Sequence, residues 1–327
     1  MSLSGEVMKV VIFIPCLNEE DTLPIVLKSI PKKIPGVDEI DVLVVDDGST
    51  DKTYEVAKKH GVKHFVRHTQ NKGLAYSFRD GLRGALDLGA DIIVLTDGDN
   101  QYPQERIPDL IKPILDQKAD IVIADRQVSS IKHFSTTKKY LQKFGTWVLN
   151  QVAGTNIPDG TSGFRAFSKQ AAIELNLITR YSFGMETAIQ AGNKRQSIAT
   201  IKITTNPKTR ESRLIKSNWS HVRKSGVAIM RGFLMFKPYT LFLSIGSVLL
   251  ILGLIPFVHY LYLYLTVVNP GGAHHLQSLI AGTVLLVAAF ISFTLGFIAD
   301  LIRINRSLLE DILENQRRSE YFTKTKD

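Results

Sequence analysis

Cysteine is almost absent. Cys16 is the only one in 327 residues, which excludes an intramolecular disulfide and leaves the chain with no need of an oxidising compartment. The opening residues, MSLSGEVMKV, lack the basic start and apolar core of a signal peptide, so none is expected there. No internal repeat and no low-complexity tract occurs. Acidic residues are outnumbered, 31 Asp and Glu against 40 Lys and Arg, and the net charge of +9 calls for an anionic partner: a nucleotide, a phospholipid or a nucleic acid. The length suits one α/β domain of roughly two hundred residues with something added.

What is present is a run of strand-like and helix-like segments in alternation. KVVIFIP, Lys9 to Pro15, reads as a buried strand, and Asn18, Glu19, Glu20 and Asp21 open a helix carrying Leu23, Val26, Leu27 and Ile30. VLVV, Val42 to Val45, ends in Asp46, Asp47 and Gly48, and a helix through Tyr54, Val56 and Ala57 follows, with Ser49 or Thr50 as its cap. His64 to Arg67 is a weaker strand. Asn71, Lys72 and Gly73 precede a long helix through Ala85, then the strand from Ile92, another helix, and IVIA, Ile121 to Ala124, ending in Asp125 and Arg126. Such alternation predicts an α/β fold, a mostly parallel Rossmann-like sheet with helices on both faces. In an open sheet of this kind ligands sit at the carboxyl ends of the strands, so Asn18, Glu19, Asp46, Asp47, Lys72, Asp97, Asp99 and Arg126 should converge. Taken singly, each is equally a helix cap or a solvated loop charge.

IIVLTDGDNQYP, Ile92 to Pro103, stands at the centre of this set. Four aliphatic residues lead into Asp97 and Asp99, a pair suited to a hard divalent cation, Mg²⁺ or Mn²⁺, with coordination positions left for phosphate oxygens. Gly98 between them lets a ligand approach the backbone. The same residues also suit a plain polar turn.

PCLNEE, VVDDGSTD, NKGLA and TDGDNQYP resemble the nucleotide-sugar-binding half of glycosyltransferase family 2, a GT-A-type fold. DGTSGFRAFS, Asp159 to Ser168, is similar to the polyprenyl-phosphate glycosyltransferases, the group of dolichyl-phosphate mannose synthases and undecaprenyl-phosphate glucosyltransferases. The resemblance spans about Lys9 to Lys216. It implies that Pro15, Leu17, Asn18, Glu19, Asp46, Asp47, Lys72 and Gly98 bind the donor with Asp97 and Asp99, and that Asp97, Asp99 and Gln101 hold the metal and diphosphate. Arg126 stands where the family has Gly-Ser-Arg, here Ala124-Asp125-Arg126. Within NPKTRESRLIK, the resemblance implies that Arg210, Arg213 and Lys216 join Arg126 at the acceptor phosphate; an ordinary charged surface turn is the other reading. Asp159 falls where some relatives place a base, and an orienting role fits as well.

The last third differs. Tyr239 to about His259 is nearly all apolar, long enough at 1.5 Å per residue to cross roughly 30 Å of hydrocarbon, and Leu279 to Ile302 returns. Tyr260, Tyr262 and Tyr264 suit the far interface. The expected domains are a cytosolic glycosyltransferase domain over 1–215, an amphipathic interfacial helix over 216–238, transmembrane helices over about 239–264 and 279–302, and a cytosolic amphipathic tail over 303–327. That tail reads either as a solvated helix or as a contact through which subunits form a dimer or tetramer. His259, His274 and His275 have no acidic or Cys neighbours and are not read as metal ligands.

The resemblance implies an inverting transfer of a hexose from a UDP- or GDP-sugar to a polyprenyl phosphate, and with the two apolar runs it points to the plasma membrane of a prokaryote, with no nucleic-acid partner. A processive polysaccharide synthase would carry a Gln-x-x-Arg-Trp motif, and neither Trp147 nor Trp219 lies in one. A sugar nucleotidyltransferase would open with a Gly-rich loop where Pro15 to Glu20 stand. An inactive membrane-anchored nucleotide-binding scaffold is the remaining alternative.

The loop VVNPGGAHHLQS carries no Lys or Arg, whereas Arg231, Lys237, Arg303 and Arg306 flank the other ends of the runs. The positive-inside rule therefore places the loop outside and both termini in the cytosol. A cysteine placed at Ala273 in a Cys16→Ser background should react with an impermeant maleimide added to intact cells; labelling only after lysis would refute this orientation.

Overall fold

The computed structural model describes residues 7–127, 136–176, 183–207, 234, 237–266 and 276–323. The first part alternates as the sequence reading expects: β1 (Lys9–Cys16), α1 (Leu23–Ser29), β2 (Glu39–Asp46), α2 (Thr53–Lys59), β3 (His64–Arg67), α3 (Leu74–Asp87), β4 (Ile92–Leu95), α4 (Ile107–Leu115) and β5 (Ile121–Asp125). Then come α5 (Thr136–Ala153), β6 (Arg165–Ser168), α6 (Lys169–Glu174), α7 (Phe183–Asn193) and β7 (Ile198–Lys202). The strands form one seven-stranded sheet in the order β3-β2-β1-β4-β6-β5-β7. Every pairing is parallel except those of β6, which runs antiparallel to both β4 and β5.

Alternate residues of each central strand feed two separate layers. Val10, Ile12 and Ile14 of β1 join Val44, Val94 and Val122 in a cluster closed by Leu23 and Val26 of α1, Ala57 of α2, and Leu110, Ile111 and Ile114 of α4. Phe13 points to the opposite layer and meets Phe78 of α3 edge-on at 5.6 Å; Phe78 also contacts Phe167 and stacks on Phe183. This is the period-two division of a sheet covered on both faces. Pro15 sits inside β1, yet β4 stops pairing at Phe13, so its missing N–H leaves no ladder bond unmade.

The residue preceding α2 is Lys52, not Ser49 or Thr50. Those two are drawn instead to the β1 loop, where Ser49 Oγ accepts from Asn18 N and Thr50 N donates to Asn18 Oδ1; Asp51 Oδ1 accepts from Thr53 N in the role expected of them.

The chain divides into two compact units, residues 1–229 with 313–327, and residues 230–312. The second contains α8 (Pro238–Thr266) and most of α9 (Leu276–Thr323), both long and apolar enough to cross a membrane. Small residues let these helices approach closely. A Cβ on Gly246 would fall 2.5 Å from the Phe293 ring, and one on Gly282 would fall 2.9 Å from Gly253 O; Ser292 Oγ donates to Phe242 O across the pair at 2.8 Å.

α9 continues without a break through the residues expected to form a separate tail. From Glu314 onward its side chains bind the first unit. Lys194 pairs with Glu314 at 2.6 Å and Arg318 with Glu174 at 2.7 Å, while Arg317 Nη1 donates to Leu175 O beyond the end of α6. Tyr321 Oη donates to Asp87 at 3.2 Å. Through these side chains the end of α9 packs on the rest of the first unit.

Gly81 of α3 lies against β1, where a Cβ would stand 2.4 Å from Phe13 Cδ2 and 3.0 Å from Val45 Cγ2, both fully buried. Gly81→Val should therefore destabilise the first unit by about 1–3 kcal/mol through overpacking. Denaturant unfolding measures it, and an unchanged midpoint would show that the α3–β1 contact gives way freely.

Candidate active site

The parallel strands bring their carboxyl ends to one edge of the sheet. β6 runs the other way, so the loop that precedes it, Asp159 to Phe164, arrives at that same edge between the ends of β4 and β5. The sequence-predicted residues of the described region do converge there, though several are committed to holding loops.

Asp46 is 1% exposed; its Oδ1 accepts from Ser49 N and its Oδ2 from Arg67 Nε. Asp47 is 4% exposed and accepts from the backbone N–H groups of Lys72 and Gly73, which fixes the start of α3. Its Oδ1 also meets His68 Nδ1 at 2.7 Å, and the other ring nitrogen of His68 faces Asp80 at 3.0 Å. The backbone of Lys72 is thereby fixed while its side chain is exposed. Asn18 adopts a left-handed conformation with φ 57°, a turn geometry that asparagine tolerates. Glu19 is buried and accepts from Thr22 Oγ1, which also reaches Gly98 O at 2.8 Å. Leu17 is partly buried on this loop, and Pro15 is buried near the end of β1. The β1 loop is in this way tied directly to the acidic loop after β4.

In that acidic loop, Asp99 Oδ1 accepts from Gln101 N, which closes the turn, and Asn100 takes φ 60°. A Cβ on Gly98 would stand 3.0 Å from Cys16 Sγ. Burial, reinforced by the charges of Glu19, Asp46 and Asp97, raises the Cys16 thiol well above its ordinary pKa, so it serves as packing. On the other side, a Cβ on Gly163 would fall 2.8 Å from Asp97 Oδ2, so the absence of a side chain there makes room for the carboxylate. Among the described residues no three His, Cys, Asp or Glu side chains gather as a metal cage. Asp97 and Asp99, with Gln101 beside them, fit an ion that takes its remaining oxygen ligands from a bound diphosphate and water, as Mg²⁺ and Mn²⁺ do.

Arg126 follows β5 and lies flat against Asp159. Its Nε donates to Oδ2 at 2.7 Å and its Nη2 to Oδ1 at 3.1 Å, and Nη2 also reaches Thr161 Oγ1. Asp159 accepts in addition from Thr161 N and Oγ1. Burial works against the charge on each partner. For Asp159 the Arg126 hydrogen bonds and charge prevail and hold its pKa below the ordinary carboxylate value; for Arg126 the nearby Tyr102 oxygen and Asp159 lift the pKa above the ordinary arginine value. A carboxylate so engaged is a poor proton acceptor and a good orienting group.

Residues that sequence reading passed over complete the arrangement. Tyr102, 1% exposed, stacks on Phe164 at 5.3 Å and accepts from Gly163 N at 2.8 Å; burial pushes its phenol up to about 12. Asn206 donates to Gln101 O through its backbone, and through its side chain to Asn100 O and Tyr102 O. The segment leading into the basic stretch is therefore pinned to the acidic loop. Arg210, Arg213 and Lys216 themselves lie outside the described residues, as does nearly all of the expected interfacial helix. The signal for Tyr102 was its place directly after the acidic pair.

Sheet order and acidic edge define a glycosyltransferase domain of GT-A type. The chain belongs to glycosyl transferase family 2, whose pattern it matches over residues 11–175. It is 30% identical over 207 residues to an undecaprenyl-phosphate mannosyltransferase of Micrococcus luteus, covering 60% of this chain and 83% of that one. To a UDP-N-acetylglucosamine–dolichyl-phosphate N-acetylglucosaminyltransferase of Methanococcus voltae it is 29% identical over 259 residues, 73% and 97% of the two chains. Glucosyl-3-phosphoglycerate synthase of Mycobacterium tuberculosis, solved with Mn²⁺, UDP and phosphoglyceric acid, shares the fold with a TM-score of 0.52 at 20% identity, over 69% of this chain and 78% of that one.

Gly163→Ala should crowd Asp97 and lower glycosyl transfer by on the order of a hundredfold, with little change in thermal midpoint. Wild-type turnover in this variant would show that Asp97 is free to move aside.

Proposed function

We propose that this protein transfers a hexose, with inversion, from a UDP- or GDP-sugar to a dolichyl- or undecaprenyl-type polyprenyl phosphate at the cytosolic leaflet of a prokaryotic plasma membrane. The observation that carries the reading is the meeting, at one sheet edge, of the Asp97–Asp99 loop with an arginine already set in place by Asp159, in a chain with two helices apolar enough to cross a bilayer. The names of both relatives describe transfer to a polyprenyl phosphate.

Leu17, Asn18 and Glu19 with Gly98 line the donor side, and Asp46 and Asp47 act there by shaping the loops that enclose the nucleotide. Asp97, Asp99 and Gln101 would hold Mg²⁺ or Mn²⁺, which when bound supplies positive charge to a departing diphosphate. An oxygen of the acceptor phosphate attacks the anomeric carbon as the bond from that carbon to the nucleoside diphosphate breaks. The second ionisation of a phosphate monoester lies near about 6, so the nucleophile is already an anion at neutral pH and needs no base. Asp159 then acts by aiming Arg126 at the acceptor phosphate. Arg210, Arg213 and Lys216 add charge from the segment that begins at the pinned Asn206. This division of labour favours a transferase over an inert nucleotide-binding scaffold.

Incubating the full chain with radiolabelled UDP- and GDP-sugars and polyprenyl phosphate in proteoliposomes should yield labelled lipid. Asp99→Ala should abolish it while leaving the thermal midpoint in place, and full turnover in excess EDTA would sink the metal assignment.

The pH dependence follows from the two ionisations. The folded pKa of Asp159 is depressed, so the stability it contributes is present above its unfolded value and is lost only as pH falls below that, through the folded one. The acid limb of transfer should accordingly track the acceptor phosphate, near about 6. A limb that shifts with Asp159→Asn would restore Asp159 as a base.

A further inference from the structure

Arg165, at the start of β6, is the largest fully buried side chain among the described residues, and its hydrogen bonds go to backbone carbonyls and a hydroxyl. Its Nε donates to Ser162 O at 2.8 Å, Nη2 to Gly160 O at 2.8 Å, and Nη1 to Gly184 O at 3.0 Å and Thr187 Oγ1 at 2.6 Å. All are neutral acceptors. Asp159, the nearby acid, is engaged by Arg126. Burying a cation without a directly bonded counter-charge is costly, and burial, only partly offset by the charge of Asp159, lowers the Arg165 pKa to about 10. An apolar side chain would fill the space more cheaply, so the guanidinium is retained for its geometry: a planar fork of five donors can bridge two backbone segments at once.

The segments it bridges differ in kind. On one side is the loop that presents Asp159 to Arg126 and Gly163 to Asp97; on the other is the first turn of α7. Tyr102 holds the same loop from the opposite layer, through Gly163 N and the Phe164 ring. Arg165 supplies the hydrogen bonds between this loop and α7.

We infer that Arg165 is a positioning residue for transfer: by clamping the Asp159–Gly163 loop to α7 it holds Asp159, and through Asp159 holds Arg126 in register with the acceptor phosphate. The inference rests on the acceptor role of Arg126 proposed above. A lysine cannot span both segments, whereas it keeps the charge.

The test compares the full chain in proteoliposomes as wild type, Arg165→Lys, Arg126→Ala and the double variant, with thermal midpoints measured alongside. Arg165→Lys should lower kcat by about tenfold or more and raise KM for polyprenyl phosphate, leaving nucleotide binding unchanged. Because its effect runs through Arg126, the double variant should be no slower than Arg126→Ala alone. Multiplying losses, an equal loss on donor and acceptor terms, or wild-type kinetics in Arg165→Lys would each overturn the inference. If Arg165→Lys does not fold, Thr187→Val removes one acceptor and should raise the acceptor KM in the same direction; no change there also overturns it. An Arg126→Ala variant with a wild-type acceptor KM identifies the acceptor assignment as the part that failed; a further loss on adding Arg165→Lys then shows separately that Arg165 does not act through Arg126.

Discussion

The bidentate pair of Arg126 and Asp159 depends on one strand running against the rest. In a wholly parallel sheet, the segment before a strand lies at the amino edge, away from the loops that follow its neighbours. β6 is reversed, so the residues that precede it enter at the carboxyl edge between β4 and β5. A single inversion of direction brings Asp159, Thr161 and Gly163 beside Asp97 and Arg126. The site is thereby built from both kinds of loop, those leaving parallel strands and one arriving at an antiparallel strand.

Much of the parallel half was legible because its strands are buried on both faces. Runs such as VVIFI and IIVL have few other uses in a soluble layer, and the acids that follow them mark the strand ends. β6 and β7 escaped for different reasons. RAFS begins with an arginine and ends with a serine, so the residue that fastens the active-site loop also disguises the strand. IATIK is only partly buried, an edge strand without the apolar run of a central one. Acids at one sheet edge were expected, whereas the division that leaves Asp46 and Asp47 holding loops was not. That division depends on which backbone N–H groups lie within reach of Asp46 and Asp47, and spacing along the chain carries no such information.

The apolar unit follows another logic. Its outer surface is rich in exposed aliphatic side chains, and its helices meet through Gly246, Gly253, Gly282 and Ser292. In lipid there is no hydrophobic gain from bringing two apolar helices together, so close backbone approach and an interhelical hydrogen bond supply the contact. Apolar length was plain in the sequence; the small residues at the seam become meaningful only with the pairing known.

The docking of Glu314, Arg317, Arg318 and Tyr321 on α3, on α6 and its end, and on Lys194 just past α7 makes the first unit discontinuous in the chain. Its sheet is complete by Lys202, yet the piece that covers the far end of α6 is synthesised only after the apolar stretches of both long helices. Maturation of the enzyme domain is thus ordered behind synthesis of the apolar hairpin, and the unit finishes its own surface last.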